Sequence, residues 1–222
     1  MLIKSKEDFL TIFMSFHMYY YSTYISIISY NVNMQKPFFE RLFGHFKTIT
    51  RHKLEVQKLC FKCGLVKQGL LHDLSKYSPT EFNAGVKYFQ GYRSPIDAEK
   101  EDIGYSLAWL HHKGRNKHHF EYWMDKKLKS TEIIFYDMPM NYLIESCCDK
   151  IAASKIYNGD SYKDEDPYNF YFKGTDRHVM NPETSRKYGV LLEYLKENGE
   201  NKTLCYYKEL YKKWKKDKNF TI

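Results

Sequence analysis

Six of the nine histidines fall between positions 52 and 119: His52, His72, His111, His112, His118 and His119. Asp73 follows His72 directly. A solitary imidazole is usually a packed or solvated side chain, but two doublets and a His-Asp pair in one stretch point to a shared site. Neutral imidazole with carboxylate suits Mn, Fe, Ni, Co or Zn, whereas carboxylate alone would suit Mg or Ca. Asp149 joins the set on other grounds. Its neighbours Ile144, Ile151, Ala152 and Ala153 are apolar or small, and a bare carboxylate among them is costly unless ligated or hydrogen-bonded. The chemistry on offer is that of one or two divalent transition metals, which lower the pKa of bound water from about 15.7 to about 7.

Such residues need helices to hold them. Residues 38–62 carry Phe39, Leu42, Phe43, Phe46, Ile49, Leu54 and Val56 at three-and-four spacing, and Gly64 supplies a stop. A second helix is predicted over about 65–76. As antiparallel neighbours, the two would set His52 opposite His72-Asp73 across the turn at Gly64. Ser78-Pro79-Thr80-Glu81 has the residues of a capping box and opens a helix to about Phe89. Helices are also predicted over 97–112 and 118–128, so that the turn Lys113-Gly114-Arg115-Asn116 delivers both His doublets. Further helices cover 139–157, 181–198 and 202–217, with a long loop over 160–180. No alternating run of useful length argues for a strand, so the predicted class is all-α.

The 222-residue chain has 35 Lys+Arg against 27 Asp+Glu, a formal +8, and 18% aromatic residues. With 43% apolar residues it has material for a core, which excludes wholesale disorder. A basic, aromatic chain invites nucleic acid, since Lys and Arg neutralise phosphates and rings stack on bases. Position weakens that reading. Residues 202–218 hold seven Lys against Glu209 and Asp217, the solvated face of an amphipathic helix whose Leu204, Tyr207, Leu210, Tyr211 and Trp214 dock on a core. The five cysteines, Cys60, Cys63, Cys147, Cys148 and Cys205, are odd in number with two adjacent. They suit a reduced, cytoplasmic protein better than a disulfide framework. Residues 9–30 form 22 positions without formal charge, long enough for a bilayer, but their Ser, Thr and Tyr content speaks against a membrane anchor. Residues 1–36 read as an N-terminal aromatic extension and 37–222 as one helical domain. No haem attachment pattern and no nucleotide-cofactor motif is visible.

Longer motifs carry a resemblance. The segments His72-Asp73-Leu74-Ser75-Lys76-Tyr77-Ser78-Pro79-Thr80-Glu81-Phe82, Ala108-Trp109-Leu110-His111-His112-Lys113-Gly114-Arg115-Asn116, His118-His119-Phe120-Glu121-Tyr122-Trp123 and Cys148-Asp149-Lys150-Ile151-Ala152-Ala153-Ser154-Lys155 resemble a family of uncharacterised bacterial and phage proteins, carried as a domain of unknown function. The likeness covers about residues 40–175. Behind it, the order His…His-Asp…His…His…Asp resembles the HD-domain superfamily of metal-dependent phosphohydrolases, which implies an HD-like helical bundle. The superfamily pattern implies His52, His72, Asp73 and Asp149 as ligands of a first metal, with Asp73 able to bridge. It implies one His of each doublet at a second metal: His112 and His119, with His111 and His118 as alternates. Lys76 stands where related enzymes place a lysine that contacts substrate phosphate. Lys113 and Arg115 could clamp a second phosphate oxygen, an unligated His118 could protonate the leaving oxygen, and Tyr122, with Tyr77, Phe82 and Trp123, could stack on a base.

The expected function is hydrolysis of a phosphate ester, a nucleotide foremost, by metal-activated water. One alternative is an HD-type di-iron oxygenase, whose metals and oxygen uptake would set it apart. The other is a non-enzymatic basic helical nucleic-acid binder, which expects histidines that do not converge in space.

Overall fold

The computed structural model describes residues 36–174 and 179–222. The aromatic stretch 9–30 lies outside the described residues, among which no helix is long and apolar enough to cross a membrane. The chain divides into two units, residues 1–40 and 41–222, and every candidate site residue belongs to the second. The elements in order are α1 (Phe38–Lys62), α2 (Val66–Leu71), α3 (Pro79–Lys87), α4 (Pro95–Ile103), α5 (Leu107–Lys113), β1 (Met124–Lys126), β2 (Ile133–Phe135), α6 (Met140–Asn158), α7 (Asp166–Lys173) and α8 (Pro182–Lys216).

The protein is mostly helical, as its sequence predicts, with one small departure. β1 and β2 pair antiparallel, Met124 opposite Phe135 and Lys126 opposite Ile133. The predicted helix over 118–128 is a single tight turn, Phe120–Trp123, followed by β1. Asp125-Lys126-Lys127 offers no apolar stripe for a helix to bury, while Tyr136 N–H donates to the Trp123 carbonyl at 2.8 Å and draws the strands together.

α1 buries one stripe, His45, Ile49, His52, Val56 and Leu59, at the spacing of successive turns. It ends where Gly64 takes φ 82. Leu65 N–H reaches the Cys60 carbonyl at 2.8 Å and Gly64 N–H the Phe61 carbonyl at 3.0 Å, the paired closure that a left-handed glycine permits. α6 is the central helix. Its buried residues run round the whole cylinder, from Leu143 and Ile144 through Cys147, Cys148 and Ile151, because α7 and α8 pack on it as well. The core joins these residues to Val56 and Leu59 of α1 and to Leu191, Leu192, Leu195, Leu204 and Tyr207 of α8. Each fully buried leucine contributes about 1.5–3 kcal/mol relative to exposure. Cys60, Cys63, Cys147 and Cys148 are buried free thiols in this core, and Cys205 is exposed.

Four other boundaries differ from the sequence prediction. The helix predicted over 65–76 ends at Leu71, and a separate tight turn covers Leu74–Tyr77 after the left-handed Asp73. The helix predicted over 97–112 is two, because Gly104 turns left-handed at φ 82 and the Ser106 hydroxyl then caps α5 by accepting from Trp109 N–H. The long loop predicted over 160–180 contains α7, started by Pro167 in its first turn; Tyr171, 5% exposed, anchors it in the core. α8 joins the two C-terminal helices predicted separately, and Gly199, at φ 76 and ψ 164, marks the break between them.

Candidate metal centre

The His-Asp pair sits at a deliberate distortion. α2 stops at Leu71, and Asp73 takes the left-handed conformation at φ 54, which Asp tolerates better than bulkier residues. The turn sends the Asp73 side chain into the protein, where it is 1% exposed. Its two oxygens face different partners. Oδ2 lies 3.6 Å from His52 Nε2 and 3.3 Å from His72 Nε2. Oδ1 lies 3.3 Å from His112 Nε2 and 3.4 Å from His118 Nε2.

Two groups of four potential metal donors share Asp73, beside a third of three residues, His72, His118 and Glu145. The first is His52, His72, Asp73 and Asp149; the second is Asp73, His112, His118 and His119. In each, one atom per residue lies within 4.8 Å of all the others, close to the span that ligands about 2.0–2.2 Å from one ion require. Within the first, Asp149 Oδ1 is 2.9 Å from His52 Nε2 and 3.5 Å from His72 Nε2. Within the second, His112 Nε2 and His119 Nε2 approach to 2.9 Å. Four elements supply these donors: α1, the turn after α2, α6, and the segment from α5 to His119.

The structure therefore brings together His52, His72, Asp73, His112, His119 and Asp149, and adds His118. Of the first doublet only His112 turns inward. His111 is part-buried outside both groups, and its Nδ1 lies 2.6 Å from Glu81 Oε1. Both members of the second doublet face the second group. The difference between the doublets comes from the turn joining them. Asn116 is buried and donates from Nδ2 to the His112 carbonyl and to the Ser75 hydroxyl, both at 2.8 Å, which fastens the turn against the His-Asp segment.

Two glutamates hold the rings from behind. Glu145 Oε1 lies 3.0 Å from His72 Nδ1 and 3.3 Å from His118 Nδ1, so that one carboxylate orients an imidazole of each group. Glu81 Oε2 lies 2.7 Å from His112 Nδ1. A carboxylate on the far nitrogen fixes the tautomer and raises ligand basicity. The capping-box pattern assigns Glu81 to the N3 position of α3. Instead Ser78 makes no side-chain cap, and the glutamate is spent on His111 and His112. Glu145 was not singled out, although it lies four residues before Asp149 on the same buried helix face, where the argument applied to Asp149 holds equally.

The electrostatics match a site that wants a cation. Burial opposes ionisation of Asp73, but His72, Lys76 and His112 hold its carboxyl well below the usual range. Asp149 is likewise lowered, burial being outweighed by the close approach of His52 and His72. Glu145 falls to about 2 against burial, through His118 and His72. His72 is raised well above its ordinary value because Asp73, Asp149 and Glu145 overcome burial; a field that attracts a proton there also attracts a metal ion. His119 moves the other way, lowered by burial and then by His118 and His112, and so keeps a lone pair. His72 Nε2, His118 Nε2 and Asp73 Oδ1 are buried without a hydrogen-bond partner, while Asp73 Oδ2 is ion-paired with Lys76 and His52 Nε2 is paired with Asp149. Each such atom costs about 1–3 kcal/mol. His72 belongs to the first group, His118 to the second and Asp73 to both, and a divalent transition ion in each group would satisfy these atoms together.

Lys76 Nζ lies 2.7 Å from Asp73 Oδ2, and Asp73 and Asp149 raise its pKa against burial. The other candidate substrate residues stand apart from the donors. Arg115 is exposed and donates to the His111 carbonyl at 3.2 Å, Lys113 ends α5 half-buried, and Tyr122 is exposed beneath Lys117, 5.4 Å from its ring centre. Tyr77 is hydrogen-bonded to Thr50 at 3.0 Å, Phe82 packs on His45, and Trp123 packs on Tyr142. Trp109, not anticipated in this role, covers the second group: it stacks on His112 and meets His119 edge-on at 4.8 Å between ring centres.

Residues 41–192 match the profile of a family of unknown function (DUF5662). The chain belongs to this family. The matched span contains all the donor residues, both supporting glutamates and Lys76. No curated protein and no solved structure matches the chain.

Proposed function

We propose that this protein is a metal-dependent hydrolase of phosphate esters with an HD-like His/Asp centre. The observation that carries the reading is the pair of four-donor groups sharing Asp73, in which His72 Nε2, His118 Nε2 and Asp73 Oδ1 are buried without a hydrogen-bond partner. His52, His72, Asp73 and Asp149 would hold one ion, and Asp73, His112, His118 and His119 a second. An imidazole-rich set favours Mn, Fe, Co, Ni or Zn over Mg or Ca. Such ions supply Lewis acidity and a hydroxide nucleophile at neutral pH.

The chain's own residues do the rest. Asp73 offers one oxygen to each group and sets their separation. Glu145 and Glu81 lock the rings, so little reorganisation accompanies reaction. Lys76 keeps its proton and stands beside Asp73, placed to orient an anionic substrate oxygen. His118, expected as the acid for the leaving group, is assigned to holding the second ion, because its two nitrogens face Asp73 and Glu145. The substrate is read as a phosphorylated small molecule, since the exposed lysines of α8 are not among the residues around the donors. Five free cysteines accord with a reducing, cytoplasmic setting.

Protein purified without added metal should carry two transition ions per chain, one for each four-donor group, and the Mn- or Ni-loaded form should release p-nitrophenol from p-nitrophenyl phosphate, with inorganic phosphate, or from its diester. Two irons with oxygen uptake and no phosphate release would place the protein with the di-iron oxygenases instead. Metal-free protein that binds DNA or RNA with steep salt dependence would support the non-enzymatic alternative.

A further inference from the structure

α1 buries a second histidine two turns before His52. His45 is 6% exposed, and its contacts are the rings of Phe82 and Phe89, at 5.3 and 6.1 Å between centres, with no hydrogen bond or ion pair among the described residues. Its position is enforced: a Cβ on Gly85 of α3 would overlap the imidazole. His45 faces a cavity of about 80 Å³ bounded also by Ile49, Lys76, Phe89, Ile96 and Glu99. Through the contact of Lys76 with Asp73 this cavity adjoins the donor groups.

Size and charge restrict what it takes. A cavity of about 150 Å³ accommodates benzene, so this one suits about three or four non-hydrogen atoms, far fewer than a nucleobase. Its charged groups are already engaged. Arg93, at the rim, is committed to Glu101 and Gln90, Lys76 to Asp73, and Glu99 accepts from the Ser106 hydroxyl. Burial, helped by the charge of Lys76, lowers the pKa of His45 to about 4. The ring is therefore neutral at physiological pH and presents one donor and one acceptor. A hydroxyl group, which also donates and accepts, is its natural partner.

We propose that this cavity takes the far end of the substrate's alcohol portion, an uncharged piece of about three or four non-hydrogen atoms such as the two distal carbons of glycerol with their hydroxyls, one of which hydrogen-bonds His45, so that the substrate class is small polyol phosphates and not nucleotides. This rests on phosphate-ester hydrolysis at the donor groups.

The test compares glycerol 1-phosphate, n-propyl phosphate and adenosine 5′-monophosphate with the metal-loaded protein. Wild type should prefer glycerol 1-phosphate in kcat/KM. His45→Leu should lower the ratio of glycerol 1-phosphate to n-propyl phosphate at least about tenfold, since a site built to hydrogen-bond a hydroxyl discriminates strongly, and His45→Gln should recover part of it. Ile96→Phe, which fills the cavity, should raise KM for glycerol 1-phosphate by a similar factor and serves if the His45 variants do not fold. An unchanged ratio, or equal turnover of the nucleotide, overturns the cavity assignment while leaving the hydrolase in place. If no ester is cleaved, the hydrolase falls, and calorimetric titration of glycerol 1-phosphate decides the cavity. Affinity weakened tenfold or more by His45→Leu or Ile96→Phe upholds it; equal affinity, or none in wild type, ends it.

Discussion

The two donor groups share Asp73 but are built differently. The first combines two carboxylates with two imidazoles, all buried, drawn from α1, α6 and the turn after α2. The second has Asp73 as its sole carboxylate and three imidazoles, one of them only half-buried, drawn from α5 and the short segment after it. More negative charge and deeper burial on rigid helices should make the first group the tighter site. The second sits at a turn and is covered by one tryptophan, so it should be the group that exchanges ions more readily. With the carboxylate shared between a strong and a weaker site, a first ion would settle Asp73 and so prepare the second site.

The largest effect should come from the shared residue. Asp73→Ala should reduce bound metal from two ions to almost none and activity by at least about a thousandfold, with helical content by circular dichroism little changed. Retention of either ion would break the idea of a common bridge. Glu145→Gln comes next, because Glu145 braces a histidine in each group. Affinity at both sites should weaken roughly 10–100-fold, visible in competition with a fluorescent chelator; loss at one site alone would show that the glutamate serves only one ring. His52→Ala and His118→Ala then separate the groups. His118→Ala should leave one tightly held ion per chain, whereas His52→Ala should leave one that chelator strips readily. Equal resistance to chelator in the two variants would erase the asymmetry. The smallest effect belongs to Glu81→Gln, which should weaken the second site alone by about tenfold, measured by the same competition.

Much of this arrangement could be read from residues whose signals are local. Gly64 announced the end of α1, Pro79 and Asn181-Pro182 announced helix starts, and the spacing of His52 and His72 about Gly64 placed them face to face. Asp149 was legible because a carboxylate in an apolar helix demands a partner. The choice between His111 and His112 was not legible, since it depends on Asn116 reaching Ser75 across the fold. Glu81 looked like a cap because the local pattern was complete without the fold. α7 is not legible although Tyr168, Tyr171 and Phe172 stand at i, i+3 and i+4, because its eight residues make a short pattern inside an otherwise polar segment. His45 lay on the same stripe as His52, yet nothing in the spacing distinguished a histidine facing a cavity from one packed in the core.

The way Glu145 spans the centre bears on how the centre comes into being. His112 and His119 are 7 residues apart and can meet as soon as one turn forms, on the time scale of short-loop closure. His72 and Glu145 are 73 residues apart, and their meeting must await closure of a long loop, which is entropically dearer and slower. Half of the centre is thus available early in folding, and the other half only when α6 docks. An ion captured first by the local histidines would recruit Asp73 and draw the later helix in, making the metal a participant in folding order and not only in what the finished protein does.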